Sequence, residues 1–143
     1  MESGGRSNTT RVEDVMTRRV ITIRPEQTFA DVVNLMTQHS FRHFPVVESP
    51  GRLVGVISDR DILRGVARIK DWNQTYVHQF MSRDVVAVKP DTKLSHATGT
   101  MLSKRINCLP VVDDNETVCG ILTTTDLLKV FRSMQEALEK QTQ

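Results

Sequence analysis

The sequence predicts a mixed α/β (α+β) chain built from two copies of one strand–helix–strand–strand–helix unit, packed together about a pseudo-two-fold axis. Three observations predict it. Sliding the 143-residue sequence against itself by 65 residues aligns Met16–Leu63 with Met81–Leu128 without a gap. Identities fall at Met16/Met81, Pro25/Pro90, Met36/Met101, Pro45-Val46-Val47/Pro110-Val111-Val112, Gly55/Gly120 and Asp61/Asp126, and self-similarity at a fixed offset marks a duplicated supersecondary unit. Each copy holds short apolar runs bounded by turn residues, as buried strands do. The last run of each copy passes directly into helical spacing. One unit is too small to cover both faces of its sheet, so two must share their apolar surface.

Taken in order, Met1–Thr10 is rich in Ser, Gly, Asn and Thr and is expected to be a flexible leader. Val20–Ile23 and Val85–Val88 are the first strands, each closed by a proline. Thr28 with Asp31 is a helix N-cap, and Phe29, Val32, Val33 and Met36 form the stripe behind it. Leu94, Ala97, Met101 and Leu102 are the weaker copy. Phe44–Val47 and Leu109–Val112 are strands, with turns over Glu48–Arg52 and Asp113–Thr117. The last helix, from Asp126 to about Lys140, carries Leu127, Val130, Phe131, Met134 and Leu138 on one side, and this stripe runs past the end of the repeat. Core packing is expected for its first half and a contact with a second copy of the chain for its second half. Between the copies, Trp72 and Tyr76 are expected to pin the connector to the core.

Chemistry concentrates at the two junctions. Leu53–Ile57 leads into Ser58-Asp59-Arg60-Asp61, and the run at Gly120-Ile121-Leu122 leads into Thr123-Thr124-Thr125-Asp126. The first turn of a helix has backbone N–H groups without partners and the positive end of the helix dipole, which together favour an anion such as phosphate. An ionised Asp61 or Asp126 accepts hydrogen bonds only, so it suits the paired hydroxyls of a ribose. Phosphate plus ribose is a nucleotide. The competing reading is a capping box, in which Ser58 or Thr123 caps the helix and the Asp three residues on reaches back. The second occurrence in register favours a site over a cap alone.

Composition narrows the rest. A net charge of +2 argues against a protein living on nucleic acid through a basic surface. The cluster Arg60, Arg64, Arg68 and Lys70 reads first as a solvated helix face. There is no signal-peptide pattern and no long apolar run, so the chain is expected to be soluble and cytoplasmic. Cys108 and Cys119 stand alone in apolar stretches and are expected to be buried, reduced thiols rather than metal ligands. No nucleophile elbow, phosphate loop, dinucleotide glycine fingerprint or metal cluster supports an enzyme or a catalytic cofactor. His39, His78 and His96 read as surface, whereas His43 beside Arg42 stands where both can reach a phosphate.

The opening Val15-Met16-Thr17 and Met81-Ser82, the Phe-Pro-Val-Val and Leu-Pro-Val-Val strands and the paired Gly-x-x-Ser/Thr-x-x-Asp junctions together resemble the tandem CBS (cystathionine β-synthase) domain pair. The resemblance covers Val12 to about Phe131 and implies two CBS repeats, at 12–70 and 77–132. A leader (1–11), a connector (71–76) and a helix extension (133–143) complete the chain. It implies a stand-alone regulatory module with two clefts for AMP, ADP or ATP, ahead of S-adenosylmethionine or NAD, assembled as a homodimer and acting on an effector protein not attached here. Membrane and nucleic acid are not among the implied partners. By position in the family, Asp61 and Asp126 hold ribose, and Ser58 and Thr123 lie near phosphate. Val20, Ile21, Arg42, His43 and Phe44 in one unit, and Val85, Val86, Asn107, Cys108 and Leu109 in the other, lie against the base or at its entrance. Arg60 and Thr125 are the differing residues inside the junctions. Because Arg42, His43 and Arg60 match Asn107, Cys108 and Thr125, the clefts are expected to be unequal, with a phosphate-rich ligand held better where the basic set converges. A ligand-free dimerisation scaffold, and more weakly a nucleic-acid binder, are the alternatives.

Overall fold

The computed structural model describes residues 9–142. Its helices are α1 (Phe29–Gln38), α2 (Asp59–Arg68), α3 (Val77–Phe80), α4 (Leu94–Lys104) and α5 (Thr124–Gln141), and its strands are β1 (His43–Glu48), β2 (Arg52–Ser58), β3 (Cys108–Val112) and β4 (Val118–Thr123). A single 3-10 turn, Val12–Asp14, precedes them. Under the 65-residue offset β1, β2 and α2 fall on β3, β4 and α5.

Each half is an antiparallel hairpin, β1 with β2 and β3 with β4, and the two carry the same irregularity, a bulge between Val46 and Val47 and between Val111 and Val112. The expected first strands are not strands. Only Ile23 joins the first sheet, donating to Pro45 O (3.0 Å) and accepting from Val47 N–H (2.8 Å), and Val88 does the same with Pro110 and Val112. The reason is topological. Thr17 is bridged to Ile121 in the other half, and Ser82 to Val56, so residues 18–22 and 83–87 cross from one sheet to the other with no strand alongside them.

The halves therefore exchange their lead-in segments. Val77 packs with Ile23, Phe29, Val32, Phe44, Val46, Ile57 and Ile62 in the first core, whereas Val12 and Met16 pack with Ala97, Met101, Leu109, Val111 and Leu122 in the second. Gly55 and Gly120 make this possible. A Cβ on Gly55 would meet Met81 Sδ at 2.7 Å and Ser82 O at 2.9 Å, and one on Gly120 would meet Met16 Sδ at 2.6 Å. The repeated methionine and the repeated glycine are thus two sides of one close approach.

Local chemistry explains the helices. Thr28 accepts from Asp31 N–H (3.2 Å) while Asp31 Oδ2 accepts from Thr28 N–H (3.0 Å), the reciprocal box the sequence suggested. Behind it Phe29 is fully buried, edge-on to Trp72 and to Phe80 at 5.2 Å each. Trp72 therefore pins the connector as expected. Tyr76 does not: it lies on the surface, its ring stacked on His78 at 5.9 Å. On α5 Leu127 packs against the second core, and Phe131, Met134 and Leu138 are exposed, as are Leu63 and Val66 on α2. Residues 1–8 of the expected leader lie outside the described residues. Thr10 and Arg11 are tied down: Thr10 O accepts from Leu94 N–H (2.9 Å) and Arg11 bridges to Lys93.

Candidate functional site

Both junctions fold as strand-to-helix turns with a complete cap. At the first, Asp61 Oδ2 accepts from Ser58 N–H (2.9 Å) and from Ser58 Oγ (3.1 Å), while Ser58 Oγ accepts from Asp61 N–H (3.3 Å). At the second, Asp126 Oδ2 accepts from Thr123 N–H (2.9 Å) and Thr123 Oγ1 (3.0 Å), and Asp126 N–H donates to Thr123 Oγ1 (3.3 Å). The cap reading is therefore realised at both. It engages one carboxylate oxygen, Oδ2, in each case.

Each junction opens on a cleft that the opposite half helps to line. The cleft at Asp61, about 280 Å³, takes Ser58, Asp59, Arg60 and Arg64 from the first half and Val85, Val86, Arg105, Ile106, Asn107 and Cys108 from the second. The cleft at Asp126, about 300 Å³, takes Thr123, Thr124, Thr125 and Lys129 from the second half and Phe41, Arg42, His43 and Thr17 from the first. Both volumes lie at the lower end of what small-molecule sites occupy. Within each half, Asp59 N–H donates to Arg42 O (2.8 Å) and Thr124 N–H to Asn107 O (3.0 Å). Each helix start is thereby tied to the entry of its own hairpin.

Of the sixteen residues singled out from the sequence, twelve line these clefts and four do not. Phe44 and Leu109 are fully buried core side chains. Alternation along β1 and β3 turns them inward, opposite to His43 and Cys108. Val20 does not line the Asp126 cleft, and Ile21 packs against the first core instead. Their counterparts Val85 and Val86 do line a cleft, so the pseudo-symmetry fails in the crossing segments. The basic set does not converge either. Arg42 is in the Asp126 cleft and Arg60 in the Asp61 cleft, while His43 and Asn107 border both. Arg42 Nη1 also lies 3.6 Å from Asp59 Oδ2 within the first half.

Sequence reasoning missed Arg105, Arg64, Lys129, Thr17 and Ser82. Arg105 ends α4 in the left-handed conformation (φ 56°), which projects it into the Asp61 cleft. Its counterpart is Ser40, so comparing the repeats gave no signal. Arg64 and Lys129 occupy matching positions one turn into α2 and α5, and their shared charge was the available signal.

The electrostatics of the matched pair His43 and Cys108 differ in kind. Burial lowers the His43 pKa from its ordinary 6.5, against an opposing pull from Asp59 and Asp61. The imidazole is therefore neutral near pH 7, a hydrogen-bonding group rather than a fixed cation. Burial pushes the Cys108 thiol up to about 12, so it is protonated and unreactive. By exposure Cys108 and Cys119 are only half-buried, less enclosed than their apolar contexts suggested, and both are free thiols. Among the described residues no His/Cys/Asp/Glu group is arranged to hold a metal, and no helix is long and apolar enough to cross a membrane.

A family model for the CBS domain matches residues 12–68 and 77–133. The chain is 42% identical over 117 residues to the CBS domain-containing protein YhcV of Bacillus subtilis, covering 81% of each chain. Among solved structures it resembles the protein AcuB of Vibrio cholerae, with a TM-score of 0.81, 31% identity and coverage of 92% of this chain and 97% of that one. It also resembles the CBS domain pair of protein MJ0100 bound to 5′-methylthioadenosine and S-adenosyl-L-methionine, with a TM-score of 0.80, 28% identity and coverage of 88% and 98%. Three further curated relatives match across 84 to 91% of this chain, which spans only 24 to 46% of their length.

Proposed function

The chain belongs to the CBS domain family, and from that premise we propose that it is a regulatory module that binds an adenosine nucleotide of the AMP, ADP or ATP type, and not an enzyme. The observation that carries the reading is the repeated junction: a carboxylate in the first turn of a capped helix, opening on a cleft edged by cationic side chains. In this reading the arginines, with the Arg60 or Thr125 N–H that the cap leaves open, take phosphate, the carboxylate takes ribose hydroxyls, and the apolar walls take the base. The adenosine-containing ligands of the MJ0100 pair support the ligand class and keep S-adenosylmethionine, with NAD, as the alternatives to test. Binding in a cleft between halves adjusts the angle between them, and so the surface offered to an effector.

Thermal melts and titration calorimetry with AMP, ADP, ATP, S-adenosylmethionine and NAD test this. A ligand at a hundred times its dissociation constant stabilises the fold by about 2.7 kcal/mol per site, which raises the midpoint by roughly 2–4 °C for each kcal/mol. Unchanged melts across all five at millimolar concentration would leave the scaffold reading in its place.

Exposed apolar side chains favour a homodimer as the working form. Leu63 and Val66 on α2 match Leu128 and Phe131 on α5, and Met134 and Leu138 continue the strip. Sedimentation velocity should report a dimer that Phe131→Asp converts to monomer. We place the protein in the cytoplasm and nucleic acid outside its partners, because Arg60 and Arg64 border a cleft instead of forming an open basic face.

A further inference from the structure

We infer that the two clefts divide the work: the Asp61 cleft takes the ribose-bearing ligand, and Thr17 keeps the Asp126 cleft from doing so. This rests on the nucleotide reading above and assigns it to one site. The first observation is the outer carboxylate oxygen. Asp126 Oδ1 accepts from Thr17 Oγ1 at 2.9 Å, from a residue 109 positions earlier in the chain, and the Asp126 side chain is 6% exposed. Both of its oxygens are thus engaged by protein hydroxyls, in a buried setting. At the other junction Asp61 is half-buried, and its Oδ1 accepts from no protein group among the described residues. The matching residue is Ser82, which borders the cleft without donating its hydroxyl.

The difference follows from one side chain. Thr17 and Ser82 sit at equivalent bridges, each paired through two backbone bonds to the other half's last strand. A threonine has two heavy atoms on Cβ and few rotamers, so its hydroxyl is held in one direction, whereas a serine hydroxyl rotates freely. A ribose offers two adjacent hydroxyls that both need acceptors. Asp61 presents one that is open, whereas Asp126 yields one only if Thr17 lets go.

The guanidinium donors agree. Both clefts have an apolar flank, Val85 and Val86 at Asp61 and Phe41 and Ile121 at Asp126, so the walls do not separate them. Three guanidinium groups, Arg60, Arg64 and Arg105, gather at the Asp61 cleft alongside Asp59 and Asp84, against Arg42 and Lys129 at the other, and Arg42 is paired with Asp59. The open acceptor and the larger set of phosphate donors therefore coincide in one cleft.

Titration calorimetry of the full chain with AMP tests the assignment. The wild type should bind one AMP per chain, and Asp61→Asn should weaken that site at least tenfold. Thr17→Ala, and Thr17→Ser with its freely rotating hydroxyl, should each raise the stoichiometry from one to two, and Thr17→Ala combined with Asp126→Asn should return it to one. Two equal sites in the wild type, or a single site that survives Asp61→Asn, would overturn the assignment while leaving the nucleotide reading intact. A Thr17→Ala protein that melts cooperatively and still binds one AMP would overturn the role of Thr17. Absence of AMP binding in every variant, with binding of no other adenosine ligand, would instead remove the nucleotide reading itself.

Discussion

At Ser58–Asp61 and again at Thr123–Asp126 the chain makes the same turn, closes the same cap to within about 0.1 Å, and starts a helix on the same footing. The surroundings are nonetheless unlike. Asp126 is the buried charged residue among the described residues, held by a threonine from the far end of the chain, while Asp61 keeps an open oxygen among three arginines. The pair teaches that a duplicated local motif fixes a backbone conformation and little else. What a carboxylate can bind is decided by side chains delivered from the other copy, and those have diverged.

The cores differ too, and the largest expected effect breaks the symmetry there. Phe29 is fully buried between two aromatic rings, whereas its counterpart Leu94 is half-buried at the margin of the second core. Phe29→Ala should cost about 3–5 kcal/mol, against about half of that or less for Leu94→Ala, as read by denaturant unfolding. Equal losses would mean that the two cores carry equal weight.

The paired glycines sharpen the comparison at a smaller scale. An added Cβ meets a methionine sulfur first at both, Met81 Sδ at 2.7 Å and Met16 Sδ at 2.6 Å, but the nearest backbone oxygen is Ser82 O at 2.9 Å for Gly55 and Thr17 O at 3.1 Å for Gly120. A methionine side chain can move and a bridged backbone cannot. Gly55→Ala should therefore destabilise by about 1–3 kcal/mol, and Gly120→Ala by less. The reverse order in melting temperature would show that the lead-in backbone yields more easily than Met16.

The pH dependence should carry the mark of His43 and Cys108, one at each edge. The Cys108 thiol is raised from 9.0 to about 12 in the folded protein, so the unfolded chain loses its proton first. Stability is complete below pH 9 and falls as pH rises toward 12, by about 2 kcal/mol at pH 10.5 at roughly 1.4 kcal/mol per unit. Cys108→Ser should remove that part of the slope. His43 is lowered below its ordinary 6.5, so the unfolded chain takes up a proton first as pH falls. Its contribution is present above pH 6.5 and diminishes below it, a smaller effect that His43→Asn should flatten. A phosphate ligand beside His43 would act oppositely on that group, favouring the imidazolium.

Legibility in the sequence followed how local each interaction is. The Thr28–Asp31 box, the hairpins and the two junction caps span three to fifteen residues and were read from spacing and turn residues. Val20–Ile23 reads as a strand because its composition is right for one, but composition does not say whether a partner runs alongside, and there Ile23 alone finds one. Phe44 and Leu109 lie next to site residues in sequence and point the other way in space. Thr17 and Asp126 illustrate the limit. Nothing within either residue's neighbourhood announces a bond across 109 positions.

The exchanged lead-ins also set a timetable for making the protein. Val12 and Met16 leave the ribosome first, but the core they complete ends with Leu122. At about 5–20 residues per second, that partner surface is on the order of ten seconds away. The first core is likewise open until Val77 and Ser82 have been added. Neither half can close on its own sequence, so the nascent chain carries apolar surface through nearly its whole synthesis. A chain stopped before Val77 would leave the first core without the segment that closes it, and one stopped before Leu122 would leave Val12 and Met16 without their partners.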